Sequence, residues 1–309
     1  MATPSPDPGP AATGGPPPSR PGGPGPAGGA VTRRRELGQA SARSLLLTVL
    51  GEFVLPADEP VWTRALLETM GALGIEAKSA RQALARTAAE GLLVSDRDGR
   101  RVRWSLTTAG RRLLSEGAAR IYGFGATATG WDGRWLVLLA SVPESRRQLR
   151  HRLRTRLAWA GLGSPAPGVW VSPDPAKEEQ VAQVLDELGL RGMSSSFVGR
   201  YGAIGRPADV VAQAWDLDRV ELAYQEFLDC FTPAAGAPAP GAGVGTGVLA
   251  RQVRLVHAWR RFPFLDPELP AELLPDRWAG ARAADLFGTL HDRWDAPARA
   301  AWAELAGTP

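Results

Sequence analysis

Residues 77–110 read AKSARQALARTAAEGLLVSDRDGRRVRWSLTTAG, and the first half has the period of a helix while the second has that of a β-hairpin. At about 100° per residue, Ala80, Ala83, Leu84 and Thr87 share one arc of the helix, and Lys78, Ser79, Arg81, Gln82, Ala85 and Arg86 share the other. The inward stripe is small, so the helix can sit close on its scaffold. The outward face is basic and hydrogen-bonding, and Arg and Gln are the side chains that pair with guanine and adenine edges in a major groove. A solvated surface helix would show the same wheel, and the residues after Glu90 decide between the two. Gly91 ends the helix, and residues 92–94 and 102–106 read as short strands joined by residues 95–101, where Asp98-Gly99 is a hairpin signal. The tip then carries Arg97, Arg100 and Arg101, with Arg103 on the second strand, where phosphates would lie.

Working outward, residues 42–54 (ARSLLLTVLGEFV) form an apolar-rich helix that Pro56 is expected to stop. A second helix covers residues 62–73, and Gly71 and Gly74 bracket a tight turn before the basic helix. Residues 107–110 (TTAG) open a further helix to about residue 121. Helix, helix, turn, helix and basic hairpin in that order predict a winged helix-turn-helix that binds DNA over residues 39–122.

Residues 135–142 (WLVLLASV) are an apolar run bounded by Gly133 and Pro143, which predicts a buried strand. A helix over 144–161, a strand near 169–172, a helix near 176–188 and a strand near 193–198 come next. This β-α-β-α-β alternation predicts a central ferredoxin-like domain over residues 130–205, with three of its four strands evident. From residue 210 the pattern is helical, giving a helical C-terminal domain over 208–309, interrupted by the Ala/Pro/Gly tract 232–247 that reads as a flexible connection. Residues 1–38 form a Pro/Gly-rich tail whose first 30 residues are too poor in bulky apolar side chains to offset the entropy of ordering. The fold class is α+β.

Composition narrows the function classes. The 309 residues are 44% hydrophobic and 22% charged, with no run near the roughly 20 apolar residues of a membrane span, and a cytoplasmic protein is expected. The single Cys230, flanked by Leu228 and Phe231, is expected to be a small buried residue. The pI of 9.8 suggests a polyanionic partner, although 34 Arg against two Lys points to codon preference. Distribution carries more weight: residues 31–120 hold 15 basic against 10 acidic side chains, and residues 206–309 hold 10 against 14.

On the helix over 144–161, Leu149, Leu153 and Leu157 mark the core stripe, and Arg146, Arg150 and Arg154 form an outward row four residues apart. That row suits DNA phosphates or those of a phosphorylated ligand, or is simply solvated. A metal-dependent nuclease would need an acid at the end of the first central strand, which ends Ala140-Ser141-Val142. His151, His257 and His291 lack ligand spacing, so no catalytic residue and no metal is expected. A winged-helix adaptor that contacts protein is the other alternative.

Several motifs together resemble the PaaX-type family of repressors of phenylacetic acid degradation operons. They are RSLLLTVLGEF (43–53), AKSARQALARTAAEGLL (77–93), SLTTAG (105–110) followed by RIYGF, and WLVLLASVPESRRQLRHRLRTRLAWAGLGSPAPGVWVSP (135–173). Later come WDLDRVELAYQEFLDCF (215–231) and, most distinctive, WRRFPFLDPELPAELLPDRWAG (259–280). The resemblance implies a central domain related to a CRISPR-associated endonuclease fold and a homodimer on palindromic operator DNA. It also implies release by an aryl-CoA thioester such as phenylacetyl-CoA, with no cofactor. Arg146, Arg150, Arg154, Trp259, Arg260 and Arg261 are the candidate effector contacts, although the last three could equally pack the C-terminal helices or a dimer.

Overall fold

The computed structural model describes residues 41–125, 130–236 and 245–307. The expected Pro/Gly-rich tail lies outside them, as do residues 237–244 of the Ala/Pro/Gly tract.

Helix α1 (Ala42–Val49) starts at Ser41, whose hydroxyl accepts from the Ser44 N–H at 3.1 Å. It does not stop at Pro56. It widens into a π-helical stretch (Leu50–Val54), with the Leu55 N–H bonded to the Leu50 carbonyl, and ends in the single turn α2 (Leu55–Ala57). The wider turn makes room for a proline ring that would clash with the carbonyl four residues back in an α-helix. Strand β1 (Val61–Trp62), α3 (Thr63–Ala72), α4 (Ala77–Ala89), β2 (Leu93–Asp98), β3 (Arg101–Leu106) and α5 (Thr108–Gly123) come next. The strands form an antiparallel sheet in the order β1-β3-β2. This is the order of elements the winged-helix expectation requires. Only Gly74, at φ +86°, takes the left-handed turn between α3 and α4, whereas Gly71 remains helical.

The central segment has the fourth strand that the sequence pattern lacks. Strands β4 (Arg134–Ala140), β5 (Gly163–Ala166), β6 (Val169–Ser172) and β7 (Ser194–Arg200) form an antiparallel sheet in the order β5-β6-β4-β7. Helices α6 (Arg147–Trp159) and α7 (Glu178–Glu187) supply the crossovers, giving the β-α-β-β-α-β order of a ferredoxin-like fold. The β5–β6 hairpin turns at Pro167-Gly168, with Gly168 at φ +77°. Alternation along β4 sends Leu136, Leu138 and Ala140 against Leu153, Leu157, Val181 and Leu185. Trp135 faces the other way, toward Val171, Val211, Leu217, Leu269 and Leu273. A strand covered on both faces reads as a continuous apolar run.

Helices α8 (Pro207–Ala214), α9 (Leu217–Ala235), α10 (Thr246–Trp259), α11 (Phe262–Leu265) and α12 (Ala279–Ala306) complete the chain. Part of the tract expected to be flexible is helical: α9 runs through Pro233, which lies in its last turn, and α10 begins at Thr246. Cys230 is exposed, not buried as expected, because the buried stripe of α9 passes through Phe227 and Phe231 and leaves Cys230 round the side. From Ser41 on, the segments expected as three domains pack into one contact unit. Phe53 stacks on Trp302 at 5.2 Å, and α10 lies against α1, α3 and α12.

Glu52, in the π-helical stretch, is the polar centre of this junction. It is 7% exposed and accepts from the Tyr122 hydroxyl and, at 3.2 Å, from Gln252 Nε2. His291 Nε2 lies 3.8 Å from it. Burial alone would lower the His291 pKa, but Glu52, with Asp295 and Asp292, holds it above the usual value. Alongside, His257 Nδ1 and Arg260 Nη1 each meet Thr48 Oγ1 at 3.1 Å.

Candidate nucleic-acid interface and ligand cavity

Helix α4 buries Ala80, Ala83, Leu84 and Thr87, as its wheel predicts. Thr87 hides its hydroxyl by donating to the Ala83 carbonyl at 2.8 Å. Lys78, Arg81, Gln82, Ala85 and Arg86 are exposed and Ser79 is half-buried. None of the four charged or amide side chains on this face has a hydrogen-bond or ion-pair partner among the described residues. Four unpaired donors on one face of a small-cored helix can all reach a ligand at once.

The hairpin is longer and its tip narrower than the sequence suggests. Pairing extends to Asp98↔Arg101, so only Gly99, at φ +61°, and Arg100 form the turn. Arg100 is therefore the tip residue. Arg97 lies within β2 opposite Val102, and Arg101 opens β3; both are exposed. Arg103 is already engaged: its guanidinium lies 5.1 Å over the Trp62 ring, and Nη2 is 3.4 Å from Asp96 and 3.9 Å from Asp98. On the adjoining face, Trp104 Nε1 donates to Thr63 Oγ1 at 2.8 Å, and Thr63 donates to the Val102 carbonyl at 2.9 Å. These bonds fix the hairpin to the start of α3.

The hairpin leads into α5 through Thr107. Its hydroxyl donates to the Gly91 carbonyl at 2.6 Å and accepts from the Gly110 N–H at 3.0 Å. Gly110 packs so closely on the Leu92 carbonyl that any Cβ would overlap it. The start of α5 is thus tied to the turn that ends α4.

A cavity of about 1180 Å³ opens between α6, the β5–β6 hairpin and the C-terminal segment. Arg147, Arg150, His151 and Arg154 of α6 line one wall, joined by Lys177 and by Arg120 of α5. Lys177 lies over Gly161, and burial lowers its pKa against the pull of Asp174 and Glu268. Arg150 makes a loose 3.5 Å contact with Glu144, whereas Arg147 and Arg154 have no ion-pair partner among the described residues. Two of the lining acids are occupied by their own surroundings. Asp216 accepts from the Arg219 N–H, and Asp266 accepts from Tyr224 at 2.6 Å and from the Glu268 N–H at 2.7 Å. Glu144 and Glu268 also line the cavity, so five cationic side chains, Arg120, Arg147, Arg150, Arg154 and Lys177, share it with four carboxylates, and the cations concentrate on the α6 side.

The candidate effector contacts divide on this geometry. Arg150 and Arg154 line the cavity. Arg146 does not, because the chain there is a 3-10 turn (Glu144–Arg146) and the helix begins one residue later, bringing Arg147 into the row. Trp259 is 1% exposed and stacks on Phe287 at 4.7 Å. Arg260 donates to the Ser44 carbonyl at 3.1 Å, and Arg261 donates to the Ala223 carbonyl at 2.9 Å. These three pack the C-terminal helices and join them to α1, and none lines the cavity. Sequence reading did not select Arg120, Arg147, His151, Trp159, Lys177 or Phe264; only the four-residue spacing of Arg147 and His151 offered a signal. Among the described residues no group of three or more His, Cys, Asp or Glu could hold a metal ion, and no helix is long and apolar enough to cross a membrane.

Comparison with known proteins agrees with this architecture. Residues 41–110 match the PaaX-like protein family, residues 128–211 the PaaX protein central Cas2-like domain and residues 215–304 the PaaX-like protein C-terminal domain. The chain is 31% identical over 272 residues to the transcriptional repressor PaaX of Escherichia coli (strain K12), covering 86% of this chain and 84% of that protein. The uncharacterized protein Rv0674 from Mycobacterium tuberculosis has a similar fold, with a TM-score of 0.57 and 24% identity over 83% of this chain and 98% of that one. With three consecutive family segments and a relative matched over most of its length, the chain belongs to the PaaX family.

Proposed function

We propose that this protein is a DNA-binding transcriptional repressor that reads a palindromic operator as a homodimer and is released by an acyl-CoA thioester such as phenylacetyl-CoA. The observation that carries the reading is the α4 face, where Lys78, Arg81, Gln82 and Arg86 stand exposed and unpaired beside a hairpin tipped by Arg100. Arg and Gln on a protruding helix recognise base edges, and an Arg on a hairpin tip neutralises phosphate. Ser79 lies on the same helix, and Arg97 and Arg101 flank the tip. Arg103, held by Trp62, Asp96 and Asp98, serves to shape the hairpin.

The repressor relative supports regulation over catalysis, and β4 ends at Ala140, followed by Ser141 and Val142, without the acid a nuclease would need there. An adaptor role gives no reason for a helix face with four unpaired donors. The resemblance motivates the thioester, and the basic cavity wall of Arg147, Arg150, Arg154 and Lys177 suits its phosphates. A ligand shifts the DNA-bound state only by its differential affinity for the two conformations. The test is an operator-binding titration with the thioester, free acid and free CoA in parallel arms. Release of about a hundredfold by the thioester alone, corresponding to near 3 kcal/mol of preference, supports the effector. Unchanged affinity with every acyl-CoA discards the effector and leaves the repressor.

A further inference from the structure

We propose that Arg120, Trp159 and Phe264 form a latch that couples occupancy of the cavity to the position of α4, and hence to operator affinity. The proposal rests on the repressor reading above and goes beyond it in naming how the two sites communicate.

The three residues come from α5, α6 and α11 and meet at the cavity wall. The Arg120 guanidinium lies 4.6 Å over the Phe264 ring, and its Nη2 donates to the Trp159 carbonyl at 3.4 Å. The Trp159 and Phe264 rings meet edge to face at 5.5 Å. Yet Trp159 is 62% and Phe264 56% exposed, so two large rings stand open to whatever enters the cavity. A flat or anionic ligand group there competes directly with the existing contacts: a ring takes the aromatic faces, and a phosphate or carboxylate takes the guanidinium.

What makes this cluster a coupling element is the other end of α5. That helix runs unbroken from Thr108 to Gly123, with Arg120 in its last turn. At its start, Thr107 is bonded to Gly91, the residue that closes α4, and Gly110 rests on the Leu92 carbonyl without space for a side chain. A shift at Arg120 therefore has a path along α5 to the end of α4, through the Thr107 hydroxyl on Gly91, the Thr107 N–H on the Leu92 carbonyl at 3.1 Å and the close packing of Gly110 on Leu92. The continuous chain of packed and hydrogen-bonded groups supplies a physical route between the two sites.

The test uses the full-length protein with Arg120→Gln and Phe264→Leu. Both residues are exposed, so both variants are expected to fold with melting temperatures near that of the parent. Operator affinity is measured first without ligand. The latch predicts about a tenfold loss in each variant with the salt slope unchanged, because the contact broken is internal and Phe264→Leu alters no charge. Affinity equal to the parent's in both variants overturns the proposal, whatever any ligand does. The titration is then repeated with phenylacetyl-CoA and with CoA alone. If the parent responds, both variants should respond by a smaller factor, and a factor equal to the parent's also overturns the latch. If the parent responds to neither while the variants still bind operator more weakly, the effector reading fails and the latch stands.

Discussion

Replacing Glu52 separates two descriptions of the junction between α1 and the C-terminal helices. Glu52→Ala leaves the Tyr122 hydroxyl and Gln252 Nε2 without their acceptor and His291 without its nearest carboxylate, all in a buried setting. Removing one side of a buried, hydrogen-bonded charge costs about 3 to 5 kcal/mol. Glu52→Gln should cost far less. Its remaining carbonyl oxygen still accepts from Tyr122, and its new amide N–H can donate to Gln252 Oε1, a buried acceptor with no partner among the described residues, after a half-turn of the Gln252 amide. The residual cost is the lost charge facing His291, about 1 to 2 kcal/mol. The assay is equilibrium urea unfolding of parent and both variants at pH 6 and pH 8. The parent's His291 pKa is raised, so its contribution is fully present below the unfolded value and fades as pH rises through the folded one. Glu52→Gln should abolish that part of the pH dependence. If Glu52→Gln costs as much as Glu52→Ala, the rearranged amide pair does not form and the reasoning fails.

His257 should titrate in the opposite sense. Burial, aided by the Arg260 charge, depresses its pKa to about 4, so stability is full above the unfolded value of 6.5 and is lost as pH falls toward 4. Discounted for the partly solvated ring, the loss is about 2 kcal/mol, and His257→Gln should flatten it in acid unfolding curves. Gly110→Ala should destabilise the protein by about 2 to 4 kcal/mol, because a Cβ would overlap the Leu92 backbone carbonyl, which cannot swing aside as a side chain can. A melting temperature within 1 °C of the parent's, as an order-of-magnitude threshold, would contradict that packing.

The sequence carries α4 plainly, because a helix packed on one side alone keeps an unbroken period, and the burial of Ala80, Ala83, Leu84 and Thr87 agrees with it. Strand β5 was illegible for a physical reason: Gly163-Ser164-Pro165-Ala166 has no branched or aromatic residue and holds a proline, which only an edge position tolerates. The Pro167-Gly168 turn was its one signal. Pro56 misled because a π-helical widening is a tertiary solution with no local signature. Trp259, Arg260 and Arg261 look like a binding motif in one dimension, yet the aromatic core takes the first, α1 the second and α9 the third. The cavity was legible only in its α6 wall. Arg120, Lys177 and Phe264 reach it from segments more than 50 residues apart, and no period or spacing connects them.

A winged helix that reads an operator must take sequence information from α4 and only phosphate contact from the hairpin tip. The deciding measurement is binding to the DNA upstream of the protein's own gene and to random duplex, across a salt series, for the parent, Gln82→Ala, Arg86→Ala and Arg100→Ala. Gln82→Ala and Arg86→Ala should each narrow the gap between operator and random DNA by about 1 to 3 kcal/mol. Arg100→Ala should weaken both DNAs alike and reduce the salt slope by about one. Footprints, affinities and salt slopes of all three variants equal to the parent's would contradict the assignment of α4 and the hairpin as the DNA-reading surface.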